Sequence, residues 1–421
     1  MPVSGRGRVA VFLIGLLSIA YALHGQTRYD LLLKGGHVID ARNHVNAIRD
    51  VAISGGKIAA VARGIDRKLA SRTADVSGLY VTPGLVDIYE HVYAYTNPSG
   101  SSADERGPIP DALAFRSGVT TLVDPGGSGW RTFEDFKARI IDHSRTRVLA
   151  MLNIVGWGTR GGKYDQDMDD MDVKSAAAMA VKYKNAIVAI TTADFAGPEW
   201  KPFERAVEAG RIANIPVVID YGTNRPERPL YDLLTRVLRP GDIFTHMYSG
   251  RYGEQADSGG PSKAMVEGRR RGVMFDVAQG TVSFSWKLAV PMVKAGFIPD
   301  SISSDLHITT LDLHGRDILS VDFRGKDFLT VMSKFLALGM PLDSVILRAT
   351  WNPAKEIKRE EIGSLSVGSP ADVAVLRLED GKFSFLDKDR SGTTLDGTRK
   401  LVCALTLRDG KVVYDPNGIT R

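Results

Sequence analysis

The sequence predicts an α/β fold in which a (β/α)₈ barrel is inserted into a small composite β-sandwich domain formed by both chain ends. The first observation is a run of eight short apolar strand patterns between Leu85 and Asp305, most of them separated by helical stretches. The second is that most patterns end in a polar residue able to bind a metal. Carboxyl ends of barrel strands converge on one face, so these residues mark the expected active site. They are Asp87–His91, Asp124, Asn153, Thr191, Thr192, Asp220, His246, Gln279 and Asp305.

The two chain ends are predicted to form one β-domain around the barrel. A Gly35–Gly36 turn is expected between the first two strands, and Asp409–Gly410 is typical of a hairpin turn. Because neither end has enough strands for a stable sheet, we expect the two ends to pair. The predicted division is 1–25 signal peptide, 29–82 N-terminal part of the β-domain, 83–358 catalytic barrel, and 359–421 C-terminal part of the β-domain.

Inside the barrel, apolar strand patterns alternate with helical stretches such as 133–143 and 203–213. Gly-rich loops follow the second and third strands, and loops at that face usually shape a substrate pocket. The predicted strands are 85–91, 119–124, 147–154, 187–192, 215–221, 243–248, 273–279 and 301–305.

The amino-acid composition and charge favour some classes of binding partner over others. The 421 residues are 43% apolar and 24% charged, with a formal net charge of +5, which is ordinary for a globular protein with a large core. Arg269–Arg271 is the one tight basic cluster, and a solvated helix face explains it better than a nucleic-acid site. We therefore expect a small-molecule substrate and no nucleic acid, with homo-oligomer formation left open. Cys403 is the lone cysteine, so no internal disulfide can form.

The first residues predict export. Arg6 and Arg8 precede the apolar run Val9–Leu17, and Ser18–Ala22 resembles a small-residue cleavage site. The run is short for a membrane span, although an uncleaved anchor is the alternative interpretation. We expect secretion, to a periplasm, with no stable membrane association after cleavage.

Three motifs resemble the amidohydrolase superfamily. Val81–Asp87 leads into a first strand ending in His91, Thr350–Ala354 matches the segment that joins barrel and β-domain, and Gly368–Leu376 matches the return into the β-domain. The closer resemblance is to the deacetylase-like, dihydroorotase-related branch, which implies hydrolysis of acylated amino acids or related esters. Its motifs are His91–Tyr93, Gly241–His246 and Ser304–His307.

The resemblance implies two divalent metals held by a His-x-His pair, a carboxylated lysine, two further histidines and one aspartate. Such metals polarise the scissile carbonyl and make hydroxide available at neutral pH. Of that set, His91 matches the second histidine of the pair, His246 the sixth-strand histidine and Asp305 the catalytic aspartate, a general acid/base.

Three positions depart from the pattern. Tyr89 stands where the first histidine belongs, Thr191 where the lysine belongs, and Asp220 where the fifth-strand histidine belongs. A phenol ionises at about pH 10 and is a poor zinc ligand, and threonine forms no carbamate. Without that anionic bridge two cations would repel each other, so we expect no binuclear centre.

A single divalent ion is the remaining metal hypothesis. His91, His246 and Asp305, with Asp220 in reach, offer nitrogen and carboxylate ligands and leave a position open for water. The mixture suits Zn or Mn, with at most one ion per chain. The alternative is that these groups are relics, hydrogen-bonded to one another in a polar barrel mouth.

Further residues are candidates for substrate binding. Cationic and hydrogen-bonding side chains on the loops after strands three and six could hold a substrate carboxylate. Two further hydrogen-bonding side chains lie at the ends of strands seven and eight. These candidates are Arg160, Lys163, Tyr248, Arg251, Gln279 and His307.

The leading hypothesis is a secreted, metal-dependent, deacetylase-like hydrolase that cleaves an amide or ester bond of a small substrate, with Asp305 as the general acid/base. The second is a pseudoenzyme or small-ligand-binding protein that has lost the binuclear site. A lyase or isomerase on the same scaffold is the third.

Overall fold

A computed structural model describes residues 1–2, 28–93, 109–280, 283–306, 327–387 and 392–421. These residues form a mixed sheet and a parallel sheet, and helices follow most strands of the parallel sheet. All but two residues of the predicted signal peptide lie outside the described residues. In the described part of the chain, no helix is long and apolar enough to cross a membrane.

The mixed sheet joins the two chain ends. Its strands follow the order β15-β14-β13-β5-β1-β2-β3, with β4 beside β1. The junction is antiparallel pairing of β5 with β13, in which Val81 lies opposite Val375. Both ends therefore contribute to one sheet, whereas its division into two sandwich layers stays a prediction. The strands are β1 Leu31–Asp40, β2 Val45–Ser54, β3 Lys57–Ala62, β4 Thr73–Asp75, β5 Tyr80–Pro83, β13 Val373–Leu386, β14 Thr394–Arg408 and β15 Lys411–Tyr414.

The predicted turn at Gly35–Gly36 is wrong, because β1 runs through both glycines. Its pairing with β2 changes register between Leu33 and Gly36, which is a bulge rather than a reversal. Gly35 adopts a φ of 77°, which glycine tolerates, and its N–H donates to Asp50 Oδ1 at 2.9 Å. The predicted turn at Asp409–Gly410 does join β14 to β15.

The parallel sheet carries the strand ends on which the sequence places the chemistry. Its strands are hydrogen-bonded in sequence order, β6 to β12, and every neighbouring pair is parallel. Most of its residues are buried on both faces, as in parallel sheets covered by helices. The strands are β6 Leu85–Asp87, β7 Val119–Gly129, β8 Arg147–Asn153, β9 Ile187–Thr192, β10 Val217–Ile219, β11 Ile243–Phe244 and β12 Met274–Phe275.

Two of these strands stop earlier than predicted where the backbone turns left-handed. The φ angle is 59° at His246, shortly after β11, and 35° at Ala278, shortly after β12. A non-glycine residue with positive φ cannot continue a pleated ladder. The side chains beyond these points are therefore placed by individual backbone turns rather than by strand alternation.

The predicted eighth strand, 301–305, does not form a strand. Its neighbourhood makes isolated bridges instead, Ser301 with Asp276 on one side and Leu306 with Glu90 on the other. Asp305 itself has a φ of 48°, which interrupts extended pairing. Among the described residues the sheet has seven strands, and continuous strand pairing does not close it.

The helices pack their apolar faces on the parallel sheet. In α4 the buried residues include Phe203, Ala206 and Ala209, which recur every three residues on one face. Predicted helix 133–143 ends as an α-helix at Arg139, and 203–213 falls within α4. The helices are α1 Pro110–Ala114, α2 Phe133–Arg139, α3 Val173–Lys182, α4 Lys201–Ala213, α5 Leu230–Asp232, α6 Lys263–Arg270, α7 Trp286–Lys294, α8 Phe328–Ala337, α9 Leu342–Leu347 and α10 Trp351–Glu356.

A buried aspartate links the two sheets. Asp372, just before β13, accepts hydrogen bonds from Arg147 of β8 at 2.6 Å and from Arg408 of β14 at 3.2 Å. The backbone N–H of Asp409 donates to the same carboxylate at 2.9 Å. Charge-assisted bonds of this kind fix the C-terminal strands against the parallel sheet.

Candidate active site

The predicted chemical residues lie at the carboxyl edge of the parallel sheet. Five of them end or closely follow strands of this sheet, and Asp305 lies near the isolated bridge of Ser301 with Asp276, so the side chains meet in a common recess. All of them are buried except His91, whose side chain is 20% exposed. They are Tyr89, His91, Thr191, Asp220, His246 and Asp305.

His91 and Asp305 form the first histidine–carboxylate pair. His91 Nε2 lies 3.3 Å from Asp305 Oδ1. The backbone holds both partners, because Asp305 N–H donates to the Tyr89 carbonyl at 2.7 Å and His91 N–H donates to the Leu306 carbonyl at 2.9 Å. A β-carbon at Gly280 would lie only 2.1 Å from Asp305 Oδ2, so glycine is needed there for this carboxylate position.

His246 and Asp220 form the second pair. His246 Nε2 lies 3.7 Å from Asp220 Oδ2, and the opposite ring nitrogen, Nδ1, is 2.7 Å from the Ala278 carbonyl. A proton on Nδ1 satisfies that carbonyl and turns Nε2 toward the carboxylate. Asp220 Oδ1 accepts from Gly222 N–H at 3.0 Å and has a longer contact of 3.5 Å with the Tyr252 hydroxyl.

The two partners of this second pair favour each other's charged form. Burial alone would lower the pKa of His246, but the Asp220 carboxylate more than offsets burial and raises that pKa to about 9. Burial would raise the pKa of Asp220, whereas the charge and hydrogen bond of His246 bring it below its ordinary value. The pair is therefore an ion pair at neutral pH.

Three residues at this edge have a strained backbone. His246, Ala278 and Asp305 all have positive φ angles, of 59°, 35° and 48°. Each such residue costs about 1–3 kcal/mol, and strained residues of this kind cluster at functional sites. The strain aims the His246 and Asp305 side chains in directions that regular strands would not give.

Tyr89 lies between the two histidines. Its ring centre is 5.9 Å from that of His91 and 5.5 Å from that of His246, with both contacts edge-on. The side chain is only 2% exposed. An aromatic ring therefore occupies the region between the two pairs.

The donor set does not fit a two-metal centre. Thr191 is fully buried, its hydroxyl donates to the Val218 carbonyl at 2.8 Å, and it carries no group that could bridge two ions. Within the described ranges, no group of three or more His, Cys, Asp or Glu side chains comes together as a metal site. The four predicted ligands stand as two pairs, and each pair offers two protein ligands where a catalytic zinc site has three.

Two of the predicted substrate-binding residues are enclosed. Tyr248 is fully buried and its hydroxyl donates to the Phe297 carbonyl at 3.0 Å, so it belongs to the core and is not available to a substrate. Its predicted role is therefore corrected, because the short β11 turns the chain before this residue reaches the recess. Gln279 is 2% exposed, and its side-chain oxygen has no hydrogen-bond partner in the described structure.

The other predicted substrate-binding residues lie on loops. Arg160 is half-buried, with Nε donating to the Trp157 carbonyl at 2.9 Å. Lys163 and Arg251 are exposed, and Arg251 reaches toward the Gly222 carbonyl with a long 3.4 Å contact. The predicted residue His307 lies outside the described residues.

Two acidic residues in this region were missed by the sequence analysis. Asp194 follows β9 with a φ of 54°, and its pKa is raised to about 6, mainly by the charge of Asp220, with contributions from burial and from Asp165. Because the Asp194 side chain reaches solvent, we attribute the shift to the neighbouring charge rather than to burial. Asp165 is buried and accepts two backbone N–H groups of its own loop. Neither ends a predicted strand pattern, so no local signal marked them.

Arg228 ties the loop that carries Asp194 to the loop that follows Asp220. Its side chain is fully buried. It donates hydrogen bonds to the carbonyls of Gly197 at 2.9 Å, Thr223 at 2.8 Å and Phe195 at 3.3 Å. Three aromatic rings surround its guanidinium at 4.7–5.6 Å. The loop after β9 is thereby tied to the loop that follows Asp220.

Known proteins are similar to this chain in sequence and in fold. No family model matches the chain. Its sequence is 30% identical to that of a deacetylase of Agrobacterium fabrum over 328 residues, 76% of this chain and 75% of that protein. The fold is similar to that of an adenine deaminase, with a TM-score of 0.80, 24% identity, and coverage of 92% and 100% of the two chains. It is also similar to that of a dihydroorotase, with a TM-score of 0.77, 25% identity, and coverage of 91% and 99%.

A parallel α/β sheet with histidines and carboxylates at its carboxyl edge is the arrangement of a hydrolase of the amidohydrolase type. The extent of the similarity to the deacetylase makes the family explicit. The chain belongs to the amidohydrolase superfamily.

Proposed function

We propose that this protein hydrolyses an amide or ester bond of a small substrate, in the manner of a deacetylase. The observation that carries the proposal is the contact of 3.3 Å between His91 Nε2 and Asp305 Oδ1 at the edge of the sheet. It occurs in a chain whose similarity to a deacetylase covers three quarters of its length. The finer fold, a closed (β/α)₈ barrel with a β-sandwich, is part of the same proposal.

Asp305 acts as the general acid/base. It accepts a proton from water while the water oxygen bonds to the substrate's carbonyl carbon, which forms a tetrahedral intermediate. It then passes that proton to the leaving nitrogen or oxygen as the C–N or C–O bond breaks, which releases a carboxylic acid and an amine or alcohol. His91 orients the Asp305 carboxylate through the contact of its Nε2.

No step is assigned to a metal, because the donors do not fit the two-metal centre and stand as two separate pairs. The prediction of at most one Zn or Mn ion per chain is tested by elemental analysis of the purified protein. One equivalent that survives dialysis supports a mononuclear site. A full two equivalents would contradict the interpretation of Tyr89 and Thr191.

The direct test is hydrolysis by the purified protein. We expect release of acetate from a panel of acetylated amines and acetate esters, measured with and without added Zn²⁺ or Mn²⁺. Hydrolysis that depends on Asp305 supports the proposal. Purified, folded protein that releases no acid from any member of the panel under either condition contradicts it.

A pseudoenzyme or small-ligand-binding protein is the second candidate, motivated by Tyr89, Thr191 and Asp220 at ligand positions. The triple substitution Tyr89→His, Thr191→Lys and Asp220→His tests it. Metal binding and hydrolysis that arise only in the triple variant support a degenerate parent. Turnover by the parent chain excludes this candidate.

We further propose that residues 1–25 direct the chain through the general export pathway to a periplasm. The support is the order of Arg6, Arg8 and the apolar run Val9–Leu17. N-terminal sequencing of the expressed protein tests it, since a mature start between residues 23 and 26 is expected in the periplasmic fraction. An intact Met1 in the cytoplasmic fraction alone contradicts export.

A further inference from the structure

Asp124 is hydrogen-bonded to the two residues that follow His91. It belongs to β7, and its side chain is fully buried. Its Oδ2 atom accepts from the backbone N–H groups of Val92 at 2.9 Å and Tyr93 at 3.0 Å. Its Oδ1 atom accepts from the N–H of Gly127 at 2.7 Å. One carboxylate therefore joins the segment that carries His91 to the last residues of β7.

These contacts require a carboxylate. Burial raises the pKa of Asp124, and the charge of His91 and the three N–H donors partly oppose that rise. Each N–H group donates and none accepts, so the ionised carboxylate satisfies all of them. An amide of the same shape has one acceptor oxygen and an NH2 group that would face a donor. Asparagine at this position would therefore release either residues 92 and 93 or residue 127.

The backbone of His91 is held by a second partner. Its own N–H donates to the Leu306 carbonyl at 2.9 Å, and Leu306 directly follows Asp305. The N–H groups of residues 91, 92 and 93 thus all donate to distant segments, and hydrogen bonds are directional. They fix the backbone from which the His91 side chain projects, and that side chain places Nε2 at 3.3 Å from Asp305 Oδ1.

Gly127 allows the Asp124 carboxylate to lie this close to the backbone. A β-carbon at Gly127 would lie 2.8 Å from Asp124 Oδ1 and 3.1 Å from the Tyr93 carbonyl oxygen. The φ angle of Gly127 is not positive, so the lack of space, rather than the backbone conformation, requires glycine there. Alanine at position 127 would displace the carboxylate and leave its charge unchanged.

We propose that Asp124 is a positioning residue, which sets the place of His91 and thereby the orientation of the Asp305 carboxylate. Its effect on rate rests on the proposed hydrolysis, whereas its control of His91 needs no turnover. Asp124 ends a predicted strand pattern, as a metal ligand would, but its contacts show that it binds the backbone.

Two variants test the kinetic consequence. Asp124→Asn removes one acceptor oxygen, and Gly127→Ala displaces the carboxylate without changing its charge. For both we expect kcat on the preferred acetylated substrate to fall about tenfold or more, with KM within about twofold of wild type, because a misplacement of about 1 Å costs up to 10²-fold. When Asp124→Asn is added to Asp305→Asn, we expect no further fall, since both residues act through the same pair.

Matched controls separate positioning from loss of stability. Asp50→Asn also removes a buried carboxylate that accepts two backbone N–H groups, but in the β-domain. Gly260→Ala adds a β-carbon with an ordinary nearest contact of 3.8 Å. Both controls should keep the kcat of the wild type. The positioning role is overturned if kcat is unchanged in the test variants, falls equally in the controls, or falls a further tenfold when the two aspartate substitutions are combined.

A chemical measurement on His91 separates this inference from the proposed hydrolysis. Diethyl pyrocarbonate modifies accessible imidazoles, and peptide mapping of the full chain gives the modification rate of His91 relative to that of the exposed His143. We expect this relative rate to rise several-fold in Asp124→Asn and Gly127→Ala, because His91 moves away from Asp305, and to stay unchanged in the two controls. A rise in a protein that hydrolyses nothing would contradict the proposed function but retain the positioning role. No rise in either variant would contradict the positioning role, even if kcat fell.

Discussion

The two histidine–carboxylate pairs use the same chemical groups in different surroundings. In the His246–Asp220 pair the side chains are 5% and 12% exposed, whereas in the His91–Asp305 pair they are 20% and 9% exposed. The His246–Asp220 pair is held by the Ala278 carbonyl and the Gly222 N–H, and it stays charged over a wide pH range. The difference indicates that the buried pair is a fixed structural ion pair, while the more accessible pair is the one suited to proton exchange with a substrate.

The largest expected effect is on the accessible pair. Asp305→Asn keeps the shape of the side chain but cannot accept the proton of water, so we expect kcat to fall about 10²–10⁴-fold. Steady-state rates and thermal unfolding of the same preparation measure it. Asp232→Asn, which removes a carboxylate from a surface ion pair with Arg236, is the control and should leave kcat unchanged. An Asp305→Asn variant that retains its rate would remove Asp305 from the chemistry.

A substitution in the buried His246–Asp220 pair should lower the stability of the fold. Asp220→Asn leaves the His246 imidazolium buried without its counter-charge, so we expect a loss of about 3 kcal/mol in the free energy of unfolding at pH 7. Urea unfolding measures it. A loss at pH 7 no larger than that of Asp232→Asn would mean that the 3.7 Å contact carries little energy.

The pKa shifts of His246 and Asp220 determine how the stability loss of Asp220→Asn depends on pH. The raised pKa of His246 stabilises the fold fully below pH 6.5, and this contribution disappears as pH rises through about 9. The lowered pKa of Asp220 stabilises the fold above pH 3.8, and this contribution disappears as pH falls below that value. The gap between wild type and Asp220→Asn should therefore be widest between these limits and should narrow by pH 10. A gap that widens at pH 10 would contradict the ion pair.

A smaller effect should come from crowding Asp305. The methyl group of Gly280→Ala would displace Asp305 Oδ2, and we expect kcat to fall by about tenfold or more, since a misplacement of about 1 Å costs up to 10²-fold. Gly296→Ala is the matched control, because Gly296 also has positive φ, 77°, but faces open space. Gly296→Ala should lose about 1 kcal/mol in stability from its positive φ alone, and Gly280→Ala should lose at least as much. Equal kinetics in the two variants would show that the carboxylate position is not critical.

The smallest effect is expected at the loop clamp beside the buried pair. Arg228→Lys keeps the positive charge, but the lysine ammonium lacks the planar guanidinium that donates to three carbonyls at once. We therefore expect a loss of about 1–2 kcal/mol in the free energy of unfolding. Limited proteolysis should cut first in the loops after β9 and β10. Arg236→Lys on the surface is the control. Unchanged stability and cleavage would show that the aromatic rings alone hold these loops.

Strand patterns located most of the site because strand ends are local features. Thr191, Asp220 and His246 each follow an apolar pattern that a parallel sheet must bury, so their convergence at one edge could be predicted. The shared sheet of the two chain ends could be predicted for the same reason, since neither end suffices alone.

The remaining features depend on contacts between distant segments. The positive φ angles of His246 and Asp305 have no signature in residue type, and they shorten one predicted strand and interrupt another. Tyr248 ends a predicted strand yet turns into the core. Asp194 and Arg228 lie on loops whose neighbours are set only when β9, β10 and β11 are assembled.

The antiparallel seam between β5 and β13 has a consequence for the order of events during synthesis. Nearly three hundred residues separate its two strands, so the N-terminal strands await a partner until the ribosome has almost finished the chain. Contacts of such long sequence separation form late, which slows folding. If the polypeptide is exported as proposed, this delay keeps the chain unfolded while it crosses a translocation channel. The pairing of β5 with β13 then forms only after the chain has crossed the membrane.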